Sequence, residues 1–542
     1  MTPAPLIRYL TNCPPWLLSG LCYGLAWPSF GNVPTGWLAW VALVPLLLRV
    51  RRADTANSFR RYVWATFPAF MVLPVIVCWW LTYYNPFALP LIWLTQSPCL
   101  YLPLACFYFL QRYMGWRQAL WLLPPLWAGC EWVCLSLSPI NLGVGNPAYT
   151  QANLLWVNQF ADLTGMWGLT AWVIAMNVVV ALAIDHFQQR QGTLAGRWAV
   201  AWPLARPLLF WLGVPVLYSL FVRYGLPSVA VQTTMPPLPV GIIQTNHDSY
   251  HPQPGRQLAE LVRLGQQAVA MPNKPALVVA PEGASPLPLV ADSALFAGVR
   301  QCVADWNVPL ATGFMTPVGR EAYYNEAYLF TPQLSQLYDT LHLQPADLGV
   351  YRKQHALAFS EQVPLVLSRA LHWLGTPEER ALQTGNKPLA FRFVDPLGYD
   401  RSLAFVICWD QMYPATVAHQ VRQGIDFMAF LMNDGWFYDS PGPRQLLAFT
   451  QLRAIENRRG VVRSSNQGFS GYVDAFGRID RQLPAHVATT QTVLVEPNTR
   501  LSLFTRYPNW FPVGCLLFTL TVLLYNVYRR TQSVPPFTPL YR

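Results

Sequence analysis

Long apolar segments alternate with short polar ones over the first two fifths of the chain, and one more lies near its end. A helix that spans a membrane needs about 20 predominantly apolar residues. Segments that reach or approach this length lie at 14–31, 34–48, 62–83, 86–110, 118–138, 164–184, 207–223 and 509–528. The pattern predicts an α-helical transmembrane bundle, and the first two segments are short enough to form a hairpin.

Between the seventh and the last of these segments, the pattern changes to short apolar runs separated by polar helical stretches. Such alternation is typical of an α/β domain with a largely buried sheet. Predicted strands lie at 240–244, 277–280, 309–314, 323–330, 403–407, 427–432 and 492–495, with a hairpin-like pair at 461–464 and 471–473. Helical periodicity at 255–270 and 415–424 completes the prediction.

Arginines mark alternate ends of the predicted spans. They lie between the second and third spans, between the fourth and fifth, between the sixth and seventh, and after the last: Arg49, Arg51, Arg52, Arg60, Arg61, Arg112, Arg117, Arg190, Arg197, Arg529 and Arg530. The loop 84–86 and the stretch 139–163 contain no Lys or Arg. The positive-inside rule therefore predicts eight spans with both chain ends in the cytoplasm.

This topology divides the chain into three parts. Residues 1–224 form a membrane domain with about seven helices, 225–505 form a catalytic domain on the outer face, and 506–542 form a last helix with a cytoplasmic tail. Met1–Leu10 has one Arg and no small-residue cleavage pattern, so it is predicted to be retained.

Composition narrows the function classes. The chain is 53% hydrophobic and 12% charged, which excludes a disordered protein. Its net charge of +11 is largely explained by arginines at span ends, and no lysine-rich, aromatic-interleaved stripe indicates a nucleic-acid partner. No Cys/His group has metal-ligand spacing, so neither a metal nor another cofactor is predicted.

Cysteine placement singles out one thiol. Of ten cysteines, only Cys302 and Cys408 lie in the predicted outer domain. An oxidising compartment would permit a disulfide between them. Alternatively, Cys408 is a nucleophile, because it directly follows the apolar strand Leu403–Ile407 and would stand at a sheet edge.

Two charged residues could serve such a thiol. Glu282 follows the strand 277–280 and is the natural proton acceptor, while Lys353 could neutralise a tetrahedral oxyanion. Simpler interpretations exist, since a buried Cys is commonly a packed apolar residue. Lys353 could also be one of two adjacent cations, with Arg352, on a solvated face.

Several motifs together carry a family resemblance. They are Pro281-Glu282, Lys353-Gln354-His355 with Glu361, Val406-Ile407-Cys408-Trp409-Asp410, Asn433-Asp434-Gly435-Trp436-Phe437, and Arg453–Arg458 with Asn466. These motifs resemble the nitrilase superfamily of carbon-nitrogen hydrolases. The flanking spans, with Gly165–Thr170 and Asn177 in the sixth, make the whole chain similar to the bacterial apolipoprotein N-acyltransferase family.

The resemblance implies a four-layer αββα domain facing the periplasm from the bacterial inner membrane. It implies acyl transfer from a phospholipid to the N-terminal amine of diacylglyceryl-cysteine in apolipoproteins, through a Cys thioester with ping-pong kinetics. The enzyme is expected to act as a monomer without a cofactor. Two alternatives remain, a membrane-tethered nitrilase-type amidase and a catalytically inactive lipoprotein-binding homologue.

The resemblance also assigns residue roles. Glu282, Lys353 and Cys408 are the expected catalytic triad, and Glu361 resembles a second acid that orients it. Trp409 and Asp410 are expected to bind substrate because they adjoin the thiol.

Two polar sites have more than one interpretation. Glu131, in the fifth predicted span, is a functional candidate because charges inside membranes are costly, or else a hydrogen-bonded residue within the bundle. The run 433–435 has turn-forming residue types and is predicted to shape the wall of the pocket.

Overall fold

The fold is described from a computed structural model. It covers residues 13–29, 33–138, 141–189, 194–225, 231–232, 235–284, 293–319, 322–333, 349–358, 361 and 381–532. The predictions for Met1–Leu10, for Arg190 and for the end of the tail fall outside the described residues.

Helices occupy every predicted apolar segment. In the first region they are α1 (Pro15–Leu25), α2 (Val44–Val50), α3 (Ala53–Ala56), α4 (Phe59–Thr66), α5 (Pro68–Val77), α6 (Ala88–Met114), α7 (Trp116–Leu120), α8 (Leu123–Leu137), α9 (Ala161–Thr164), α10 (Met166–Gln189) and α11 (Leu194–Leu220). Short 3₁₀ turns lie at Thr35–Trp40, Trp79–Thr82 and Pro147–Gln151. The segment predicted at 62–83 is therefore divided among α4, α5 and a 3₁₀ turn, and Pro68 begins α5 at the first break.

Three helices of the described part are long and apolar enough to cross a membrane. They are Ala88–Met114, Met166–Gln189 and Trp510–Arg529, the last within the C-terminal helix. Two shorter apolar helical segments lie at Thr35–Val50 and Leu209–Gly225.

The middle of the chain forms two mixed β-sheets. Their strands are β1 (Leu238–Gln244), β2 (Leu277–Val279), β3 (Leu310–Val318), β4 (Ala322–Phe330), β5 (Val350–Arg352), β6 (Ala381–Gln383), β7 (Phe391–Val394), β8 (Asp400–Ile407), β9 (Phe427–Met432), β10 (Val461–Ser465), β11 (Gly471–Val473), β12 (Ile479–Asp480) and β13 (Thr489–Val495). The first sheet has the order β13-β1-β2-β3-β4-β5 with β6 beside β4, and the second has the order β12-β11-β10-β9-β8-β7.

Alternation along each strand explains why the two sheets stack. Leu403, Phe405 and Ile407 of β8 join a core that also contains side chains of β1 and β2, so this face meets the other sheet. Ala404 and Val406 point the opposite way, toward helices. The two sheets thus bury their facing sides against each other.

Helices cover both outer faces. On the first sheet they are α12 (Pro254–Val269) and α13 (Ser293–Trp306); on the second they are α14 (Pro414–Val421) and α15 (Gly442–Asn457). This arrangement confirms the predicted four-layer αββα domain. The chain ends with α16 (Leu503–Arg506) and α17 (Trp510–Gln532).

Helix α15 joins the α/β domain to the helical region. Its Ala454 packs on the second sheet, whereas Phe449 and Leu452 belong to the core of the helical region. Its polar side chains also bridge the two parts, because Glu456 Oε1 accepts the backbone N–H of Met166 at 2.7 Å. The α/β domain is therefore fixed directly on the helices.

The structure resolves two alternatives that the sequence left open, the surroundings of Glu131 and a disulfide between Cys302 and Cys408. Glu131 accepts hydrogen bonds from Trp127 at 3.1 Å and Thr170 at 2.8 Å, so it is bonded within the helical bundle. Cys302, on α13, and Cys408 are both free thiols and form no disulfide.

Candidate active site

The thiol of Cys408 lies at the carboxyl end of a central strand. Strand β8 pairs in parallel with β9 and antiparallel with β7, and Cys408 begins a 3₁₀ turn immediately after it. Its φ is +45°, in the left-handed region that residues other than glycine seldom adopt. Such strain is often stored where a side chain must be presented for chemistry.

Glu282 reaches the thiol from the other sheet. It follows β2 and Pro281, and its carboxyl is buried. Asn325 on β4 donates Nδ2–H to Glu282 Oε1 at 2.6 Å. Glu282 Oε2 receives no hydrogen bond from the described residues, and the Cys408 thiol lies close enough to affect the pKa of the carboxyl.

A glycine permits this close approach. The backbone of Gly313, on β3, passes so near Glu282 that an added Cβ would lie 3.2 Å from the Glu282 Cα atom. A residue with a side chain at position 313 would displace Glu282, so glycine at this position helps to hold the Glu282 carboxyl in the site.

Lys353 is the cation of the site. It directly follows β5, and its side chain is fully buried. Its Nζ lies 2.5 Å from Glu361 Oε1 and 3.7 Å from Glu282 Oε1. Glu361 is held in turn, because its Oε2 accepts the backbone N–H of Leu357 at 2.7 Å. Lys353 therefore bridges two carboxylates beside the thiol.

Burial and charge set the protonation states. Burial raises the pKa of Glu282, and Lys353 opposes that rise. Burial and the neighbouring Glu282 raise the pKa of the Cys408 thiol well above its usual value, so the resting thiol keeps its proton. Burial alone would lower the pKa of Lys353, but Glu361 and Glu282 raise it well above normal, and the ammonium stays charged.

Asp410 connects the lysine segment to the thiol segment. Its buried carboxylate accepts the Tyr351 hydroxyl at 2.7 Å and the backbone N–H groups of Gln354 at 3.0 Å and His355 at 2.8 Å. Burial raises the pKa of Asp410 to about 7, although these three donors oppose the rise. These donors flank Lys353, and Asp410 lies two residues after Cys408 in the sequence. Asp410 therefore positions the Lys353 ammonium relative to the Cys408 thiol.

Trp409 is also fully buried and packs in the core of the helical region. Neither Trp409 nor Asp410 has a side chain exposed in this structure, so their contact with a substrate stays a prediction. The four residues expected to do chemistry, Cys408, Glu282, Lys353 and Glu361, lie together as described above.

The run 433–435 lies at the end of β9. The Asp434 carboxylate is paired through both oxygens with Arg463 of β10, at 2.9 Å each, and Asn433 Oδ1 accepts the hydroxyl of Ser249 at 2.9 Å. These contacts hold the turn in place, and its role in shaping the pocket wall stays a prediction.

Sequence reasoning missed three residues of the site. Asn325 had a detectable signal, since a polar amide interrupts a strand of apolar and aromatic residues. Tyr323 and Tyr84 lie close enough for the charges of Glu361 and Lys353 to affect their pKa values. Tyr84 comes from the helical region, and its place beside the α/β domain had no signal in the sequence.

A small apolar cavity lies next to the site. It has a volume of about 20 Å³ and is lined from the helical region by Leu81, Ala88 and Ile92 and from the α/β domain by Leu357 and Ala358. Leu357 is the residue whose N–H holds Glu361, so the cavity adjoins the charged cluster. No group of three or more potential metal ligands occurs within the described ranges.

Models of known protein families match both the helical region and the α/β domain of this chain. Residues 19–179 match the family model described as the apolipoprotein N-acyltransferase N-terminal domain, and residues 239–501 match that of carbon-nitrogen hydrolase. The chain is 30% identical over 519 residues to the apolipoprotein N-acyltransferase of Chlorobaculum tepidum, covering 92% of this chain and 93% of that one. The protein of the same name from Geobacter metallireducens is 26% identical, with 92% of each chain covered.

Two solved structures are similar to about half of this chain. An amidase from Nesterenkonia sp. is 18% identical with a TM-score of 0.34, covering 49% of this chain and 92% of the amidase. A member of branch 10 of the nitrilase superfamily from Saccharomyces cerevisiae is 17% identical with a TM-score of 0.35, covering 52% and 96%.

Proposed function

This chain belongs to the apolipoprotein N-acyltransferase family, and we propose that Cys408, Glu282 and Lys353 perform its acyl transfer through a thioester. The observation that carries the proposal is a cluster of a buried carboxylate, a buried ammonium and a partly buried, strained thiol, with Lys353 Nζ 3.7 Å from Glu282 Oε1. A packed structural cysteine would need neither charge beside it.

The first half-reaction breaks a phospholipid ester. Glu282 takes the thiol proton as the Cys408 sulfur attacks the ester carbonyl, which develops a negative oxygen. The Lys353 ammonium stabilises this oxyanion, and in a site closed to water that stabilisation is large. When the tetrahedral intermediate collapses, the acyl chain stays on sulfur, and the lysophospholipid alkoxide leaves with the proton from Glu282.

The second half-reaction transfers the acyl chain to nitrogen. The α-amine of a diacylglyceryl-cysteine attacks the thioester carbonyl, and Glu282 accepts the amine proton. Collapse releases the N-acylated lipoprotein and the thiolate, which regains its proton from Glu282. Atoms and charge balance over the cycle without a cofactor.

Glu361 acts on the reaction through Lys353. At 2.5 Å from Nζ it holds the ammonium in one position and keeps it charged throughout the cycle. Its own carboxylate is anchored to the backbone of Leu357, at the edge of the apolar cavity. The acyl chain of the donor reaches the thioester along that apolar lining, and Leu357 and Ala358 must move aside because the closed cavity is small.

Both proposed substrates, the phospholipid and the diacylglyceryl lipoprotein, are anchored in the bilayer. The helical region lies in the bacterial inner membrane, with the α/β domain of 225–505 on the periplasmic side. Three long apolar helices and arginines at the opposite helix ends support this placement. The enzyme works as a monomer, since one chain supplies all the proposed catalytic groups.

A reporter test checks the orientation. A periplasm-dependent reporter, such as alkaline phosphatase, inserted after Pro272 is expected to be active, because the proposed topology exports this part of the chain. The same reporter placed after Arg52 is the matched control and is expected to be inactive. Activity only at Arg52 would reverse the topology.

The mechanism is tested by the mass of the acyl-enzyme. Purified protein incubated with phosphatidylethanolamine is expected to gain one acyl chain that hydroxylamine removes, and Cys408→Ser is expected to gain no hydroxylamine-labile adduct at this position. A folded wild-type protein that gains no adduct but hydrolyses short amides would favour the amidase alternative. If the folded protein neither forms the adduct nor hydrolyses amides, the result would favour the catalytically inactive lipoprotein-binding homologue.

A further inference from the structure

A positively charged cavity of about 630 Å³ lies at the far ends of three helices. It is bordered by the ends of α6 and α10, by the start of α7 and by the loop after α2. Its charged and aromatic lining consists of Arg51, Arg52, Trp116, Arg117 and Asp185. Three guanidinium groups against one carboxylate leave this lining positive.

Two helices show that the cavity is far from the catalytic cluster. Helix α6 begins at Ala88, beside Leu357 of the α/β domain, and ends at Met114 on the cavity. Its 27 residues rise about 40 Å at about 1.5 Å per residue. Helix α10 likewise begins at Met166, bonded to the α/β domain, and ends at Gln189 on the cavity. This separation exceeds the bilayer hydrocarbon thickness of about 30 Å.

A buried carboxylate organises the arginines. Asp185 is 2% exposed and pairs with Arg51 and with Arg117, whose Nη2 lies 2.6 Å from Asp185 Oδ2. Arg51 also donates to Gln188 at 2.7 Å, and its guanidinium lies 6.0 Å from the centre of the Trp116 ring. Both guanidinium groups line the cavity, and their contacts with Asp185 hold them in place there.

Arg52 differs from its neighbours. Its side chain is exposed at the cavity, and no partner for it is found among the described residues. A simple ion-pair lock between helices would need Arg51, Arg117 and Asp185 only. An additional unpaired cation over an open cavity indicates an anionic ligand rather than a lock alone.

We propose that this cavity binds a phosphate group, as carried by an anionic phospholipid in the membrane leaflet opposite the catalytic domain. Arginine forks match phosphate oxygens in geometry and charge. The indole N–H of Trp116 donates to the carbonyl oxygen of Leu47 at 3.0 Å, which fixes the ring beside the arginines, and tryptophan is enriched at membrane interfaces. A soluble phosphate compound has the same chemistry and is the other source to be tested.

The experiment measures binding by native mass spectrometry of the full chain in detergent. Every protein carries Cys408→Ala, so that no lipid is consumed, and each is titrated with short-chain phosphatidylglycerol. Arg52→Gln is expected to weaken binding about fivefold, the usual effect of one basic residue at a lipid surface. Arg52 does not touch Asp185, so this variant is expected to fold. Arg117→Gln is expected to weaken binding at least as much.

Arg60→Gln is the matched control, because it removes one exposed arginine from the same end of the helical region outside the cavity. It is expected to bind like the parent. Competition by inorganic phosphate at matching concentration would assign the site to a soluble phosphate, and its failure to compete would assign it to the lipid. If Arg52→Gln and Arg117→Gln both bind both probes as tightly as Arg60→Gln, the proposal is overturned.

Discussion

Cys408→Ala should abolish acyl transfer while leaving the protein folded in the membrane. Removal of a nucleophile costs roughly 10⁴- to 10⁶-fold in rate, because the acyl chain then has no atom on which to form the intermediate. The thiol makes no described contact with the helical region, so insertion should be unchanged. The measurement is the rate of lipoprotein acylation in proteoliposomes, with thermal unfolding to compare stability.

The matched control is Cys302→Ala. Cys302 is the other cysteine of the α/β domain, is partly buried on α13, and has no part in the proposed cluster. Its replacement is expected to leave the rate within about twofold, as for surface-near substitutions without special partners. Residual acylation above background in Cys408→Ala, or an equal loss in Cys302→Ala, would contradict the triad.

Several strands of the α/β domain were predictable because they follow simple local rules, whereas its four layers were expected from the family resemblance. Leu403–Ile407 is apolar throughout, which indicates a strand buried on both faces, and the structure places one face against the other sheet and one against helices. Helix α15 was not predicted. It is buried on all sides, so its sequence lacks the apolar stripe by which a helix is usually recognised.

The chemistry of the site was more predictable than its surroundings. Glu282 and Cys408 each follow a predicted strand directly, and strand ends bring such residues to one edge of a fold. Tyr84 could not be found this way, because it approaches from the helical region through contacts between distant segments. Asp410 contacts the residues on either side of Lys353, a positioning role that the sequence did not indicate, and its contact with substrate stays a prediction.

The position of α15 suggests why this family tethers its catalytic layers so tightly. Helix α15 packs both on the second sheet and in the core of the helical region. The strand end that carries Cys408 is therefore held at a fixed distance from the helices. Arg458, at the end of α15, adds a buried ion pair with Asp162 of α9 at 2.9 Å. A substrate that cannot leave the bilayer requires such a fixed distance, because proximity supplies much of the rate.

Lys353→Met should reduce acyl transfer by at least about 10²- to 10³-fold, the usual effect of removing one group that stabilises an oxyanion. Methionine has a similar length and fills the buried space, but it supplies no charge. Glu282 would then lie near Glu361 without a cation between them, and the pKa of Glu282 should rise further. The optimum pH for acylation should therefore move upward, because Glu282 must be ionised to accept a proton. The measurements are the rate of acyl-enzyme formation across pH and the unfolding temperature.

Arg352→Gln is the control that separates this role from a general effect of positive charge. Arg352 adjoins Lys353, is 41% exposed, and pairs with Glu326 at 2.9 Å. Glu326 keeps two other donors, Thr316 at 2.5 Å and Tyr328 at 2.6 Å, so the loss of Arg352 should change the rate by less than about threefold. Comparable losses in both variants would mean that acylation depends on positive charge near β5 in general and not on the Lys353 ammonium in particular. A loss confined to Lys353→Met would assign the oxyanion to the buried ammonium, which lies 3.7 Å from the carboxylate of the base.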